Sequence, residues 1–194
     1  MLYKNVDAAE LAIDKRELSR RLSLPTELCV ANDSRYQKLI SSVTPSYAAE
    51  RVPIRQAEGG VLIGNIFAKS EALMRVARGC EECFIMVCTL GLGVDKLIAK
   101  ESHLSVTDAF FTDAMADALI EALCDHAERE ICASLVACPR FSPGYSDLPL
   151  EVGRGIVKAL GAEVRQGIKF TDSGMMIPRK SVSAIICIKD SAEE

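Results

Sequence analysis

Arg140-Phe-Ser-Pro-Gly-Tyr145 puts a permanent cation, a tight turn and an aromatic ring within six residues, between two segments with helical patterning. Pro143-Gly144 suits the centre of a type II turn, because Pro pre-sets one φ angle and Gly accepts the positive φ that follows. Such a turn bares backbone N–H and C=O groups beside a guanidinium and a phenol ring. That chemistry suits a small ligand with a carboxylate at one end and a flat ring at the other. The same residues also suit a plain helix–helix connection, with Arg140 in water and Tyr145 packed on the core. On their own they leave both readings open.

A second set of reactive groups precedes the turn. Asp113, Asp117, Glu121 and Asp125 follow one another at four-residue intervals, within a helical pattern running from about Ser105 to Cys138. Residues four apart sit on neighbouring turns and drift about 40° per step. Like charges at this spacing each cost about 0.2–0.5 kcal/mol, and Arg129 relieves one end only. Asp113 and Asp125 are expected to form a solvated face. The drift carries the middle of the row, Glu121 included, toward the apolar stripe of Leu119, Leu123, Ala127 and Ile131. A carboxylate there needs a cation, either a positively charged ligand or Arg140 beyond the helix end. No histidine or second acidic cluster accompanies the row, so no metal is expected.

The chain has eight cysteines. Cys29, Cys88, Cys124, Cys132, Cys138 and Cys187 stand among apolar neighbours, where free Cys behaves as a small hydrophobe. Cys80-Glu-Glu-Cys83 is a lone CxxC. A structural zinc site takes four ligands, and His103 and His126 show no ligand spacing to it. The pair reads as a helix-to-strand corner with incidental thiols, with metal or redox duty as the alternative.

Size and composition bound the rest. With 194 residues, 49% hydrophobic but only 5% aromatic and no Trp, the sequence predicts one domain around a mainly aliphatic core. A net charge of −4 argues against a nucleic-acid or anionic-membrane surface. No apolar run approaches the roughly 20 residues of a membrane span, and residues 1–25 are charged throughout, so a soluble cytoplasmic chain is expected.

Helices are expected at Lys15–Leu22, at Ser34–Val43 behind the capping cluster Asn32-Asp33-Ser34, and from Ser70 to Gly79. A polar patch covers residues 23–34. Tyr47–Gln56 and Val61–Phe67 read as strands around a Glu58-Gly59-Gly60 turn, and Phe84–Leu90 as a central strand. Gly91-Leu-Gly93 lacks the third glycine of a dinucleotide loop, since Lys96 stands there. Those glycines are read as a sharp strand-to-helix turn before Val94–Lys100. Asp147 is expected to cap a helix that carries Pro149 in its first turn and ends at Gly161. Lys169–Thr171 and Val182–Ile188 supply the last strands. The order of elements predicts a mixed or antiparallel α+β sheet rather than a Rossmann domain.

Three separated blocks resemble the S-adenosylmethionine-binding reactivation domain of cobalamin-dependent methionine synthase. Met115-Ala-Asp117-Ala-Leu119-Ile-Glu121-Ala122 is similar to its Leu-Ala-Asp-Arg-Leu-Ala-Glu-Ala helix. Arg140-x-x-Pro143-Gly144-Tyr145-x-x-x-Pro149 is similar to its Arg-Pro-Ala-Pro-Gly-Tyr-Pro segment. Gly167 to Ser183, with Thr171, Ser173, Met176, Pro178, Ser181 and Val182, is similar to its Leu-Thr-Glu-Ser…Met-x-Pro-x-x-Ser-Val-Ser stretch. Order and spacing agree, over about residues 84–188. Residues 1–80, read as N-terminal helices and a hairpin of the same domain, carry none of these motifs; residues 81–194 form the activation-like region.

The resemblance implies a C-shaped single domain, α+β, with a twisted, mainly antiparallel sheet, flanking helices including one long helix, and S-adenosylmethionine held on the inner surface. It implies that Arg140 pairs with the ligand carboxylate and Glu121 faces its ammonium or sulfonium. Backbone at Phe141 and Gly144 would hold the adenine or sugar, Tyr145 would contact the nucleoside, and Ser183 would complete the site. No general acid or base is implied. The chain departs from the full-length enzyme: Ala184-Ile185-Ile186 replaces a Gly-aromatic pattern, Glu101-Ser-His103-Leu does not fit the cobalamin motif Asp-x-His-x-x-Gly, and no cysteine zinc set is evident. The implied function is therefore accessory to a methyltransferase. A stand-alone module would reactivate, in trans, a cobalamin-binding synthase lacking its own activation domain, with a flavodoxin-like electron donor. Alternatives are an activator of another corrinoid protein, or a non-catalytic scaffold in a corrinoid complex.

Overall fold

The computed structural model describes residues 1–22 and 34–189. Cys29, the Asn32-Asp33 part of the expected cap and most of the polar patch at residues 23–34 lie outside the described residues. The elements run β1 (Leu2–Asn5), α1 (Lys15–Leu22), α2 (Ser34–Ser42), β2 (Ser46–Ala57), β3 (Gly60–Ile63), β4 (Ile66–Ala68), α3 (Glu71–Val76), β5 (Glu82–Thr89), α4 (Leu92–Leu104) and α5 (Val106–Ile131). They continue with β6 (Val136–Ala137), α6 (Glu151–Ala159), α7 (Ala162–Arg165), β7 (Lys169–Phe170), β8 (Met176–Ile177) and β9 (Ser181–Lys189).

One sheet of seven strands runs β4-β3-β2-β5-β9-β6, with β1 also paired to β2, while β7 and β8 form a separate hairpin. Every described pairing is antiparallel. The long β2 shares one edge between β1, opposite Ser46–Ala49, and β3, opposite Ile54–Ala57; its other edge pairs with β5. This is the expected single-domain α+β fold with a mainly antiparallel sheet and one long helix.

The sheet separates two apolar layers, as the two-residue period of a strand requires. On one face Tyr47, Ala49, Met86, Cys88, Ala184 and Ile186 pack with residues of α1, α2, α4 and α5. On the other, Ala48, Ile54, Ile85, Val87, Ile185 and Cys187 pack with α3 and α6. Burial on both faces explains why β5 reads as a continuous apolar run. Leu119 and Leu123 of α5 are fully buried, each contributing about 1.5–3 kcal/mol.

Several boundaries differ from the sequence expectation. The strand expected over 61–67 is two strands, broken at Gly64, whose φ is +54°. The long helix begins as expected, with Ser105 Oγ accepting from Asp108 N at 3.2 Å. It stops at Ile131 rather than near Cys138, because Val136–Ala137 leaves to pair with the end of β9. Gly91, with φ +80°, makes the sharp strand-to-helix turn, and Gly93 lets α4 approach α2, since a Cβ there would lie 1.9 Å from the Ser42 carbonyl oxygen.

Candidate functional site

The segment after β6 is pinned to the sheet by a bridge between Phe141 and Ile185, with both N–H···O distances at 2.9 Å. Phe141 thereby turns into the α6-side core, and the Arg140 side chain reaches α5. The following turn is type II, as expected: Gly144 has φ +89°, and Tyr145 N donates to Ser142 O at 3.0 Å. Tyr145 stays 68% exposed, its ring edge-on to Phe141 at 5.5 Å.

Arg140 is gripped by three carboxylates. Nη2 donates to Glu121 at 3.1 Å, and Nη1 donates to Asp125 at 2.7 Å and to Glu128 at 2.9 Å. Burial alone would lower the pKa of this guanidinium, but the hydrogen bond to Asp125 and the surrounding negative groups outweigh that cost and push it up. One turn back along α5, the Lys180 ammonium, only 8% exposed, lies 2.9 Å from Asp113 and 2.5 Å from Asp117. Asp125 keeps the solvated position expected of it, 63% exposed, while Asp113 is 36% exposed. Each faces a cation delivered from a distant segment.

Five carboxylates on one edge of α5 thus share two cations. Between the two clusters lies a cleft of about 240 Å³, bordered by Asp117, Ile120, Glu121, Lys180 and Ser181. On the far side of Glu121, a second cleft of about 550 Å³ is bordered by Asp125, Glu128 and Arg129. The surplus of negative charge favours a cationic ligand, and Arg140 offers a fork for a carboxylate. The smaller cleft falls below the roughly 300–1,000 Å³ that encloses a whole small ligand, so it suits one end of such a molecule.

The residues expected to share a site are only partly gathered. Arg140 and Glu121 touch. Phe141 and Gly144 were expected to offer free backbone, but Phe141 N donates to Ile185 O, its carbonyl accepts from Ile185 N, and Gly144 N donates to Leu148 O at 2.8 Å. Ser183 is buried in line with Ile185 on the α6 face, where a Cβ added to Gly153 would come within 3.1 Å of its Oγ. It stands apart from the α5 clefts. The sequence reading missed Lys180 and Glu128; a lysine directly before a strand gives no sign that it will be buried.

Asp147 corrects a further expectation. It caps α3 rather than α6, its carboxylate accepting from Ser70 Oγ at 2.5 Å and Glu71 N at 2.7 Å. Ser70 itself caps the same helix through Leu73 N. The Ser70 hydroxyl and the backbone amides hold the Asp147 carboxyl below its ordinary range, against an opposing desolvation cost. The CxxC pair sits at the corner where α3 gives way to β5. Cys80 and Cys83 are buried, and burial, then Cys80 and Glu82, push the Cys83 thiol up to about 12. No three metal-capable side chains gather among the described residues, and no described helix is long and apolar enough to cross a membrane.

No protein-family model matches the sequence, and no curated protein matches it. Among solved structures, the crystal structure of the MetH reactivation domain bound to AdoHcy matches with a TM-score of 0.71, at 17% sequence identity, over 100% of this chain and 79% of that one. This chain has the reactivation-domain fold. The match extends over residues 1–80 as well, which carry none of the shared motifs.

Proposed function

We propose that this chain binds S-adenosylmethionine and presents its methyl group to a corrinoid held by a partner protein. The observation that carries the reading is the meeting of Arg140, from the Pro-Gly-Tyr turn, with Glu121 on the acidic edge of α5, within the reactivation-domain fold. The ligand is a zwitterion with an added sulfonium. Its carboxylate exchanges for one of the three carboxylates on Arg140, and the carboxylate so released takes the ammonium or sulfonium. Ion pairs are swapped rather than lost, which limits the desolvation cost of binding. Tyr145 gives the nucleoside an exposed ring to pack on.

In this reading the chain acts in trans on a cobalamin-binding methionine synthase lacking its own activation domain, in the cytoplasm. One electron from a flavodoxin-like donor and the methyl from the sulfonium convert inactive cobalt(II) cobalamin to methylcobalamin and leave S-adenosylhomocysteine. The chain contributes proximity and orientation, with no proton transfer by its own residues. The test is reconstitution: inactive cobalt(II) synthase, S-adenosylmethionine, a reductant and this protein should restore methyl transfer to homocysteine. Failure with the synthase encoded in the same genome, under conditions where calorimetry shows S-adenosylmethionine bound, removes the trans-activation role and leaves a binding module.

A further inference from the structure

A cavity larger than either α5 cleft lies away from that helix. A groove of about 1150 Å³ lies between the β2–β3 turn, α3 and the Asp147–Pro149 segment. It shares no bordering residue with the α5 clefts, and α3 packs into the core on the opposite face of the sheet. Lys69, Arg75 and Arg78 border it, all exposed, and none forms an ion pair with a described residue. Asp147 does not compete for them, because its carboxylate is held by Ser70 and the first amides of α3. Glu71 is the other acid at the groove. In a chain of net charge −4, three cations gathered without partners around one concavity repel each other unless an anion joins them. Gln56 Nε2 donates to Met74 O at 3.0 Å and ties β2 to α3, while Met74 and Pro149 supply apolar surface.

We propose that this groove is a second ligand site, for an organic phosphate with an apolar body. Two guanidiniums and an ammonium suit phosphate oxygens, arginine by its planar fork and lysine as a point charge. The volume exceeds what an inorganic ion needs and is ample for a mononucleotide. The inference does not depend on what binds at Arg140.

ADP is the probe, with adenosine and inorganic pyrophosphate as its halves, titrated into the intact protein by calorimetry. ADP should bind at least about tenfold more tightly than adenosine. The exposed double variant Arg75→Gln/Arg78→Gln should weaken ADP by about tenfold or more while leaving S-adenosylmethionine affinity within about twofold. An unchanged melting temperature would confirm that the variant folds. ADP binding that S-adenosylmethionine displaces competitively, or that survives the double substitution, overturns the proposal. So does binding of poly-glutamate with no binding of ADP, which would make the groove a docking surface for an acidic protein.

Discussion

The Arg140 guanidinium and the Glu121 carboxylate stand 3.1 Å apart, so the two groups proposed to grip opposite ends of one ligand also satisfy each other. Binding is then a difference between two sets of ion pairs. Arg140→Ala should weaken S-adenosylmethionine by about ten- to a hundredfold, and Arg140→Lys should recover only part, since an ammonium cannot fork. Calorimetry measures both. An alanine variant with wild-type affinity would take Arg140 out of the site.

Glu121→Gln keeps the shape of the side chain and deletes its charge. Affinity for the cationic donor should fall about three- to tenfold more than affinity for neutral S-adenosylhomocysteine, because only the donor carries the sulfonium charge. Equal losses would show that Glu121 does not read that charge.

Lys180 is nearly enclosed while its partners Asp113 and Asp117 remain about a third exposed, at 36% and 37%. Lys180→Met strands two carboxylates that can partly rehydrate, so the expected cost is about 1–3 kcal/mol, with Lys180→Arg restoring most of it. Urea unfolding of the three proteins gives the answer; a methionine variant as stable as wild type would show the pair is energetically neutral.

Asp147 makes a prediction about acid. Its carboxyl is held below the ordinary range in the folded chain, so the unfolded state binds the proton more tightly. The cap's stabilisation is complete above the unfolded pKa of about 3.9 and is lost as pH falls through the lower folded value. Asp147→Asn should melt below wild type at neutral pH, and the two melting temperatures should converge as pH drops toward about 3. Parallel curves would rule out the carboxylate as the source.

Gly144 tests the turn itself. At φ +89°, with a Cβ falling 2.8 Å from Leu150 Cδ2, Gly144→Ala should cost about 1–3 kcal/mol. Thermal unfolding reads the loss, and a stable alanine variant would mean the turn relaxes.

Local chemistry was legible in the sequence where the cause was local. Pro143-Gly144 dictates its own turn, Ser70 and Ser105 announce helix starts, and the unbroken apolar run of β5 marks a strand buried on both faces. What the sequence hid were partners far away along the chain. Asp147 looked like the cap of the helix that follows it, yet it closes a helix 76 positions upstream, because the Pro-Gly turn swings it back across the sheet. The acidic row was visible, but its neutralisation depended on where β6 and β9 would deliver Arg140 and Lys180. Phe141 and Ser183 lie on the face opposite Glu121 because a strand alternates its side chains, and only the register with β5 settles which residue points where.

β5 is hydrogen-bonded along both edges and sandwiched between both apolar layers. It cannot open without dissolving everything around it. Its amide protons should therefore exchange with deuterated solvent only through global unfolding, whereas the β7–β8 hairpin, paired with nothing but itself, can fray alone. Whatever adjustment the protein makes on meeting a partner must come from such margins, around a centre that stays rigid.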